Sequence, residues 1–421
     1  MNKLLIIFAV MSLACCQDSK SGDLDSVIKQ IFGEPSTTPN NNMQASTIVP
    51  PPTTPADEPE EYQNCEMDTR EMGKCVRYYL CNGNNSVITD GVGIIDIRVQ
   101  DGPCVSYLDV CCAAPDTRKP DNPITPPDEP KREGCGWRNP DGVGFRITGD
   151  KDGEAKFGEF PWMVAILNAD YVDPRIEPVN AEDPNGRKLN VYVGGGSLIH
   201  PGVVLTAAHY VATAKTFRVR VGEWDTQTTK EIYPYQDRDV GEIVVHKDFN
   251  KNNLFYDIAL LFLSSPVELA PNVGVVCLPP PRERTMAGLP CLASGWGKDK
   301  FGKEGRYQVI LKKVEVPVVE RNQCQTALRK TRLGHFFELH TSFMCAGGEP
   351  GKDTCKGDGG SPLVCPIPYE KDRYMQSGMV AWGIGCGQDG TPGVYVDIAN
   401  LRDWIDDKMA GKGFDPKIYS Y

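Results

Sequence analysis

A glycine-rich turn lies between two cysteines in the stretch KDTCKGDGGSPLVC, residues 352–365, and VAWGIGCGQDGTPGVYV (380–396) follows it. Upstream, VVLTAAHYV (203–211) places His209 after an apolar, β-branched run, and YDIALL (256–261) places Asp257 at the head of another. An imidazole, a carboxylate and a hydroxyl, here that of Ser361, are the side chains that acyl-transfer catalysis uses. Finding these segments together argues against the alternative of an ordinary glycine-rich turn.

The four segments resemble the motifs of trypsin-like serine proteases, in which the nucleophilic serine is the third residue of GDSGGP. The third residue here is Gly359, and Ser361 follows two positions later. A hydroxyl moved two positions along a tight turn points elsewhere, so Ser361 does not replace the missing nucleophile. Losing the nucleophile alone typically lowers turnover by about six orders of magnitude. The resemblance therefore implies an inactive protease with a relic triad of His209, Asp257 and Gly359, against the alternative of an active protease that uses Ser361.

The C-terminal two thirds of the chain consist of short apolar runs separated by Gly and Pro. This pattern is typical of closed β-barrels and predicts an all-β fold. The resemblance implies a chymotrypsin/trypsin-like double β-barrel that ends in a helix near Leu401 to Met409. We also expect a long acidic surface loop between Leu167 and Tyr192. The apolar runs are WMVAIL, VVLTAAH, RVRVGEW, IVVH, IALLFL, MVAWG and GVYVDI.

The N-terminal segment predicts secretion. Lys3 precedes an apolar run from Leu4 to Ala14, and we interpret residues 1–16 as a signal peptide because the run is too short to span a membrane. Residues 17–64 contain a short amphipathic stretch and a spacer rich in Pro and Thr, which cannot bury a core. The formal net charge of −11 argues against nucleic-acid and anionic-membrane partners. We expect a soluble protein of the extracellular fluid, the haemolymph.

Cysteines define a small second domain at residues 65–112. The chain has 16 cysteines, and 14 remain once Cys15 and Cys16 leave with the signal, an even number that indicates a complete disulfide set. Six of them fall within this domain, whose pairing the sequence alone leaves open among fifteen possibilities. A zinc site is a poor interpretation because the paired CxxC form is missing. A Pro-rich linker (113–134) leads to the large domain, 135–421.

The six-cysteine pattern, which ends in a CC pair, resembles the clip domain of arthropod secreted proteases. That resemblance and the protease resemblance together imply seven bridges. One further bridge of the protease family is absent, because its two positions read Gly194 and Tyr210. The implied bridges are Cys65–Cys111, Cys75–Cys104, Cys81–Cys112, Cys135–Cys277, Cys291–Cys365, Cys324–Cys345 and Cys355–Cys386.

A clip domain joined to a protease domain without its nucleophile resembles the clip-domain serine protease homologs. These are non-catalytic cofactors of prophenoloxidase activation in insect melanisation. The resemblance implies binding to phenoloxidase or prophenoloxidase, prior cleavage by an upstream trypsin-like clip protease, and self-oligomerisation after cleavage. The alternative from a different class is a protein that recognises or adheres to microbial surfaces.

Two basic sites are candidates for that cleavage. The bond Arg98–Val99 lies in the long segment between the third and fourth clip cysteines, where a cut would leave the disulfides intact. The bond Arg146–Ile147 matches the activation site of trypsin-like proteases, but activation has little purpose without a nucleophile. We predict cleavage after Arg98, with Arg146 as the alternative. Asp353 matches the residue at the base of the primary specificity pocket. It permits a basic side chain to bind there, or it is an inherited acidic residue that no longer has this role.

The segment 222–231 resembles the calcium loop of trypsin-like domains. Hard oxygen ligands close together in one loop suit Ca²⁺, and the candidates are Glu223, Asp225, the carbonyl of Thr228, and Glu231. The alternative is a solvated acidic loop. Asn84 begins a glycosylation sequon, Asn-Asn-Ser, on a polar segment.

Overall fold

The computed structural model contains a small clip sheet and two closed barrels. It describes residues 62–67, 70–81, 103–106, 108–113, 117, 132–144, 153–172, 188–213, 216–298, 307–354, 357–385 and 389–421. The predicted signal peptide and most of the spacer and linker lie outside these residues. Among the described residues, no helix has the length and apolar character needed to cross a membrane.

The clip sheet consists of three antiparallel strands in the order β1-β2-β3. These are β1 (Asn64–Glu66), β2 (Met72–Arg77) and β3 (Asp109–Cys112), and a 3₁₀ turn, Tyr78–Leu80, follows β2. Because neighbouring residues on a strand point to opposite faces, Cys111 and Cys112 form bridges on both sides of the sheet. The three bridges are Cys65–Cys111, Cys75–Cys104 and Cys81–Cys112, which are the pairs implied by the resemblance.

The first barrel closes in the order β4-β5-β6-β9-β8-β7. It carries the one-turn helix α1 (Ala208–Val211) directly after β6. Every apolar residue of β6 is buried, and alternate residues of β7 face the core, as expected for strands that line a barrel. The strands are β4 (Met163–Val172), β5 (Lys188–His200), β6 (Val203–Thr206), β7 (Phe217–Val221), β8 (Gln236–Val245) and β9 (Ala259–Leu263).

The second barrel closes in the order β10-β11-β12-β15-β14-β13. Helix α2 (Arg321–Arg329) follows β11, and the C-terminal helix α3 (Ile398–Gly411) follows β15, capped by the Asp397 side chain on the Asn400 N–H. The predicted all-β double barrel is therefore confirmed. The strands are β10 (Pro290–Gly295), β11 (Lys312–Val319), β12 (Phe343–Ala346), β13 (Pro362–Pro366), β14 (Tyr374–Trp382) and β15 (Gly393–Asp397).

The predicted surface loop between Leu167 and Tyr192 is shorter than expected. Strand β4 continues to Val172 and β5 begins at Lys188, with Val172 paired to Lys188 across the ladder. Backbone pairing thus extends both strands beyond Leu167 and Tyr192. The prediction was wrong about its extent because backbone hydrogen bonds require no hydrophobic side chains.

The clip sheet contacts the first barrel directly. Lys230, between β7 and β8, places its Nζ 2.6 Å from Asp109 Oδ2 of β3. Tyr78 and Leu108 of the clip region are 2% and 0% exposed and belong to the same buried cluster as the barrel core. This shared burial explains how a sheet with few apolar residues holds one position on the barrel.

Candidate functional site

Two members of the relic triad are assembled between the barrels. His209 lies on α1 just after β6, and Asp257 lies just before β9. His209 Nδ1 is 2.6 Å from Asp257 Oδ2, and the His209 backbone N–H donates to Asp257 Oδ1 at 2.8 Å. Asp257 is fully buried. This is the arrangement that orients an imidazole as a base in a catalytic triad.

The ring of Tyr210 fills the space beside Gly359, which follows Asp358 in the glycine-rich turn. A Cβ added to Gly359 would lie 2.6 Å from Tyr210 Cε2 and 2.8 Å from its hydroxyl oxygen. A Cβ on Gly194 would lie 2.8 Å from Tyr210 Cδ2 and 2.9 Å from Tyr210 Cε2. Such contacts essentially never occur, so any side chain at either glycine requires the tyrosine to move. The Tyr210 ring also packs on His209, with 4.0 Å between ring centroids.

The turn needs glycine for two different reasons. Gly357 and Gly360 have φ angles of 101° and 81°, which L side chains rarely adopt. Gly359 is not among the positive-φ glycines of the described chain. Its missing side chain is therefore required by the adjacent Tyr210 ring and not by its own backbone.

Ser361 is buried away from solvent in the barrel interface. It is 0% exposed, and a Cβ on Gly195 would overlap its Oγ, so the side chain is enclosed against β5. The nearby hydroxyl of Tyr192 donates to the Gly357 carbonyl at 2.9 Å. These contacts give Ser361 a packing partner and place it where substrate has no open approach.

Three tyrosines surround Asp358, the residue before Gly359. Burial raises the pKa of Tyr192, Tyr210 and Tyr307, and the Asp358 charge adds to each shift. Asp358 Oδ1 accepts a hydrogen bond from the Gly297 N–H at 2.8 Å. The tyrosines thus stay neutral at physiological pH and form a packed wall behind the relic triad.

Asp353, which the resemblance assigns to a specificity pocket, is half-buried. Its Oδ1 accepts a hydrogen bond from the Thr354 N–H at 2.8 Å, and it lies 3.0 Å from where a Cβ on Gly393 would stand. After burial, its charge is the next largest reason for the raised pKa of Tyr395. The carboxylate is therefore held by its neighbour's backbone beside β15.

The predicted calcium loop brings three carboxylates into the protein interior. Glu223, Asp225 and Glu231 are 6%, 1% and 7% exposed. Glu223 Oε2 pairs with Arg220 Nη1 at 3.2 Å, and burial nevertheless raises the Glu223 pKa to about 7. Burial, followed by the charges of Glu223 and Asp225, raises the pKa of Glu231 to about 9. One oxygen of Glu231, Oε1, is buried without a hydrogen-bond partner.

Several other contacts of this loop are local turns. Asp225 Oδ1 accepts from the Gln227 N–H, the Asp225 carbonyl accepts from the Thr228 N–H, and Thr228 Oγ1 accepts from the Lys230 N–H. Among the described residues, the one group of three potential ligands with ligand atoms within 4.8 Å of one another is Cys65, Cys75 and Cys104. Their sulfurs are in disulfides, so that group is not a metal site.

A cation in this loop would give the buried Oε1 of Glu231 a partner, although the oxygens of Glu223, Asp225 and Glu231 do not all lie within 4.8 Å of one another. A buried carboxylate without a partner is costly, and an oxygen-binding cation would satisfy it. The donor set, three carboxylates and the Thr228 carbonyl, consists of the hard oxygen ligands that Ca²⁺ prefers. Arg220 already offsets the charge of Glu223, which leaves Glu231 as the residue that most needs a positive partner.

The structure describes only some of the other predicted sites. The large-domain bridges Cys135–Cys277, Cys291–Cys365 and Cys324–Cys345 are present, as the resemblance implies. Four other predicted features lie outside the described residues. These are the pair Cys355–Cys386, both cleavage bonds, Arg98–Val99 and Arg146–Ile147, and the sequon at Asn84.

Sequence reasoning missed the role of Tyr210 and the clip contact of Lys230. The substitution of both cysteines of one bridge by Gly194 and Tyr210 was visible, and the size of the tyrosine was the available signal. That its ring would turn toward Gly359 depends on packing between barrels, which no local pattern encodes. The ion pair of Lys230 with Asp109 joins residues 121 apart in the chain.

Two family comparisons agree with this architecture. A family described as Trypsin matches residues 152–405, and one described as Serine protease Clip domain PPAF-2 matches residues 62–113. The first match covers more than half of the chain. The chain therefore belongs to the trypsin family, with a clip domain preceding the trypsin-like domain.

Individual relatives narrow this class to clip-domain protease homologs. The chain is 77% identical over 310 residues to "Phenoloxidase-activating factor 2" of Galleria mellonella, covering 73% of this chain and 100% of that protein. It is 37% identical over 356 residues to "Inactive CLIP domain-containing serine protease A8" of Anopheles gambiae, covering 84% and 91% of the two chains. A second Anopheles gambiae protein, "Inactive CLIP domain-containing serine protease A28", is 37% identical over 369 residues, or 82% and 92%. Relatives named as inactive support a non-catalytic chain, and clip-domain protease homologs are secreted proteins.

Proposed function

We propose that the protein is a non-catalytic cofactor of phenoloxidase activation in the extracellular fluid. The similarity to a phenoloxidase-activating factor over that relative's whole length supports a place in the melanisation cascade. We assign Gly359 to the nucleophile position, because it follows Asp358 in the turn beside the His209–Asp257 pair. The partner is phenoloxidase or its proenzyme, and the function is binding.

The observation that carries this proposal is the Tyr210 ring beside Gly359. A protease needs both a nucleophile and room for the scissile carbonyl next to it. Here a Cβ on Gly359 would lie 2.6 Å from Tyr210 Cε2, so there is neither a nucleophile nor room for a scissile carbonyl. The intact His209–Asp257 pair is then a structural remnant that helps to seat α1.

Cleavage after Arg98 by an upstream trypsin-like clip protease is the trigger that we propose. The disulfides Cys75–Cys104 and Cys81–Cys112 join both sides of the segment that contains Arg98. A cut there frees one end of an apolar strip without separating the clip domain from the chain. Exposed apolar surface of this kind drives association, so we propose that the cleaved form self-oligomerises.

We also propose that the loop of Glu223, Asp225, Thr228 and Glu231 binds Ca²⁺. When bound, the ion supplies positive charge to buried carboxylates whose ionisation is otherwise unfavourable. Ca²⁺ at 100 times its Kd would add about 2.7 kcal/mol to the free energy of unfolding if it binds only the folded loop. Glu223→Gln should remove the resulting rise in Tm, and no shift in the unmodified protein at millimolar Ca²⁺ would contradict the site.

The test is co-incubation of cleaved protein with prophenoloxidase, followed by size analysis and a phenoloxidase assay. We expect a complex that forms with the cleaved protein and not with Arg98→Gln. A parallel pull-down on microbial polysaccharide addresses the surface-recognition alternative. Binding to polysaccharide, with no complex and no gain in phenoloxidase activity, would refute the cofactor function.

A further inference from the structure

The hairpin between β13 and β14 ends in a turn whose sequence breaks the usual rule for its shape. The Glu370 N–H donates to the Ile367 carbonyl at 3.2 Å, which closes the turn from its first to its fourth residue. Pro368 is the second residue, and Tyr369, the third, has a φ angle of 66°. These are the features of a type II turn, whose third position requires a positive φ and therefore favours Gly or Asn. A bulky tyrosine at this position strains the backbone.

The same tyrosine is fully exposed to solvent. Tyr369 has a relative exposure of 107%, so its whole ring projects beyond the turn. The other exposed tyrosine in the described part of the chain, Tyr421, is 40% exposed, and its hydroxyl donates to Met375 Sδ at 2.9 Å. Burial of the Tyr369 ring therefore does not explain why a strained position holds an aromatic side chain. Local rules that a sequence breaks without a packing gain point to functional positions.

The backbone under this tyrosine is held on both sides. Arg373 pairs with Glu370 Oε2 at 2.7 Å and donates from Nε to the Cys135 carbonyl at 2.9 Å. The Arg138 N–H donates to the Asp372 carbonyl at 2.9 Å. These bonds attach the hairpin to the first residues of the large domain. The turn therefore presents its phenol from a fixed backbone.

A phenol presented in this way suits a partner that encloses the ring in a pocket. Pockets for small molecules bury most of the surface of the ligand, so a tyrosine of a folded protein enters one only when it projects beyond its neighbours. A tyrosine loses little conformational freedom on binding, because its side chain has two rotatable angles. The partner in the proposed function is a phenoloxidase, an enzyme whose substrates are phenols. Tyr369 has the functional group and the exposure that such an enzyme requires.

We propose that Tyr369 is a substrate of the phenoloxidase that this protein assists, and that O₂ oxidises its ring to an ortho-quinone. One oxygen atom of O₂ bonds to the ring carbon next to the one that carries the hydroxyl group. The ring loses the hydrogen of that carbon and the hydroxyl hydrogen, which leave with the second oxygen atom as water. The electrons lost by the ring reduce O₂, so the reaction needs no other reductant. This inference rests on the proposed function for the identity of the partner.

The test incubates the full, cleaved chain in air with phenoloxidase that a trypsin-like protease has activated separately, after which that protease is inhibited. Mild reduction then converts the quinone to the stable catechol, and peptide mass mapping locates it. We expect the peptide that contains Tyr369 to gain one oxygen atom, and anaerobic incubation to prevent this gain. The peptide that contains Tyr421 should stay unmodified. An unmodified Tyr369 peptide, while tyramine is oxidised in the same tube, would overturn the proposal.

Variants test the assignment to this residue. Tyr369→Phe keeps the ring, removes the hydroxyl group, and should lose the modification. Tyr421→Phe is the matched control and should leave the oxidation of Tyr369 unchanged. Tyr369→Gly should raise Tm, because glycine adopts a positive φ without strain. Oxidation of the same peptide in Tyr369→Phe would overturn the assignment, and a lower Tm in Tyr369→Gly would overturn the argument from strain.

The same incubations separate this inference from the cofactor function. Because the phenoloxidase is activated separately, oxidation of Tyr369 is measured whether or not the protein supports activation. A complex and a gain in phenoloxidase activity, with no oxidation of Tyr369, would overturn this inference alone. Oxidation of Tyr369 without a complex or a gain in activity would support Tyr369 as a substrate and refute the cofactor function.

Discussion

Substituting Gly359 by alanine should destabilise the protein even though the substitution adds one carbon and touches no catalytic function. The added Cβ would stand 2.6 Å from Tyr210 Cε2, well inside the ordinary contact distance of 3.4–4 Å. Tyr210 cannot retreat freely, because its ring packs on His209 and also borders Gly194. The strain therefore has to be absorbed by movement of α1 or of the turn.

Overpacking of this kind typically lowers the free energy of unfolding by about 1–3 kcal/mol. Gly→Ala at a compatible backbone position stabilises by about 0.4–1 kcal/mol through the unfolded state, and Gly359 has no positive φ to prevent that gain. The expected net loss is thus about 1–2 kcal/mol. Each kcal/mol corresponds to about 2–4 °C in Tm for a domain of 150–250 residues.

The assay is thermal unfolding of Gly359→Ala, with Gly411→Ala as the control. Gly411 ends α3 with nothing within 4 Å of an added Cβ and no positive φ, so its substitution should be neutral or stabilising. The decisive step is a double-mutant cycle with Tyr210→Leu, which removes the clashing ring atoms. The loss caused by Gly359→Ala should then shrink by at least about 0.5 kcal/mol. An equal loss in both backgrounds would refute the assignment of the strain to Tyr210.

Three other predictions follow from the site and the trigger. Purified, cleaved protein should not hydrolyse Arg or Lys ester substrates above a buffer control. Gly359→Ser should restore little turnover, because Tyr210 occupies the space that the serine side chain would need. Robust turnover by Gly359→Ser would contradict this explanation. In the presence of a chelator, Tm should fall as the pH rises from about 5 to 9. The folded-state pKa of Glu231 is about 9, above its ordinary value, so the protonated side chain favours the folded state and this contribution is lost across that pH range. Glu231→Gln should reduce the dependence of Tm on pH. Arg98→Gln should block both oligomerisation and phenoloxidase activation, whereas Arg146→Gln should block neither, and an activated product with a new terminus at Ile147 and an intact Arg98–Val99 bond would show that the other bond is the trigger.

Motifs and cysteine spacing were enough to predict the fold and the relic pair. Apolar runs separated by Gly and Pro become the twelve strands of two barrels. His209 directly follows one strand and Asp257 directly precedes another, which brings the two residues together. These features depend on local pattern combined with a known family topology. The extent of β4 and β5 was mispredicted because their outer halves pair through backbone groups.

The contacts that define the site were beyond sequence reasoning for a common reason. Tyr210, Gly194 and Gly359 come from three separate segments of the chain and meet at the Tyr210 ring. Lys230 and Asp109 form an ion pair between two domains. Their geometry is set by how barrels and sheets pack, at distances along the chain where no period or motif operates. Burial of the carboxylate loop likewise depends on Trp224 being anchored between the barrels.

The packing of Tyr210 against two glycines has an evolutionary consequence. A serine at position 359 would clash with the Tyr210 ring, a cysteine at 194 would clash with the same ring, and a smaller residue at 210 would leave a void beside His209. Each single step back toward an enzyme therefore passes through a less stable protein without regaining chemistry. Residues 194, 210 and 359 would therefore have to change together, which makes a stepwise gain of proteolytic activity by this chain unfavourable.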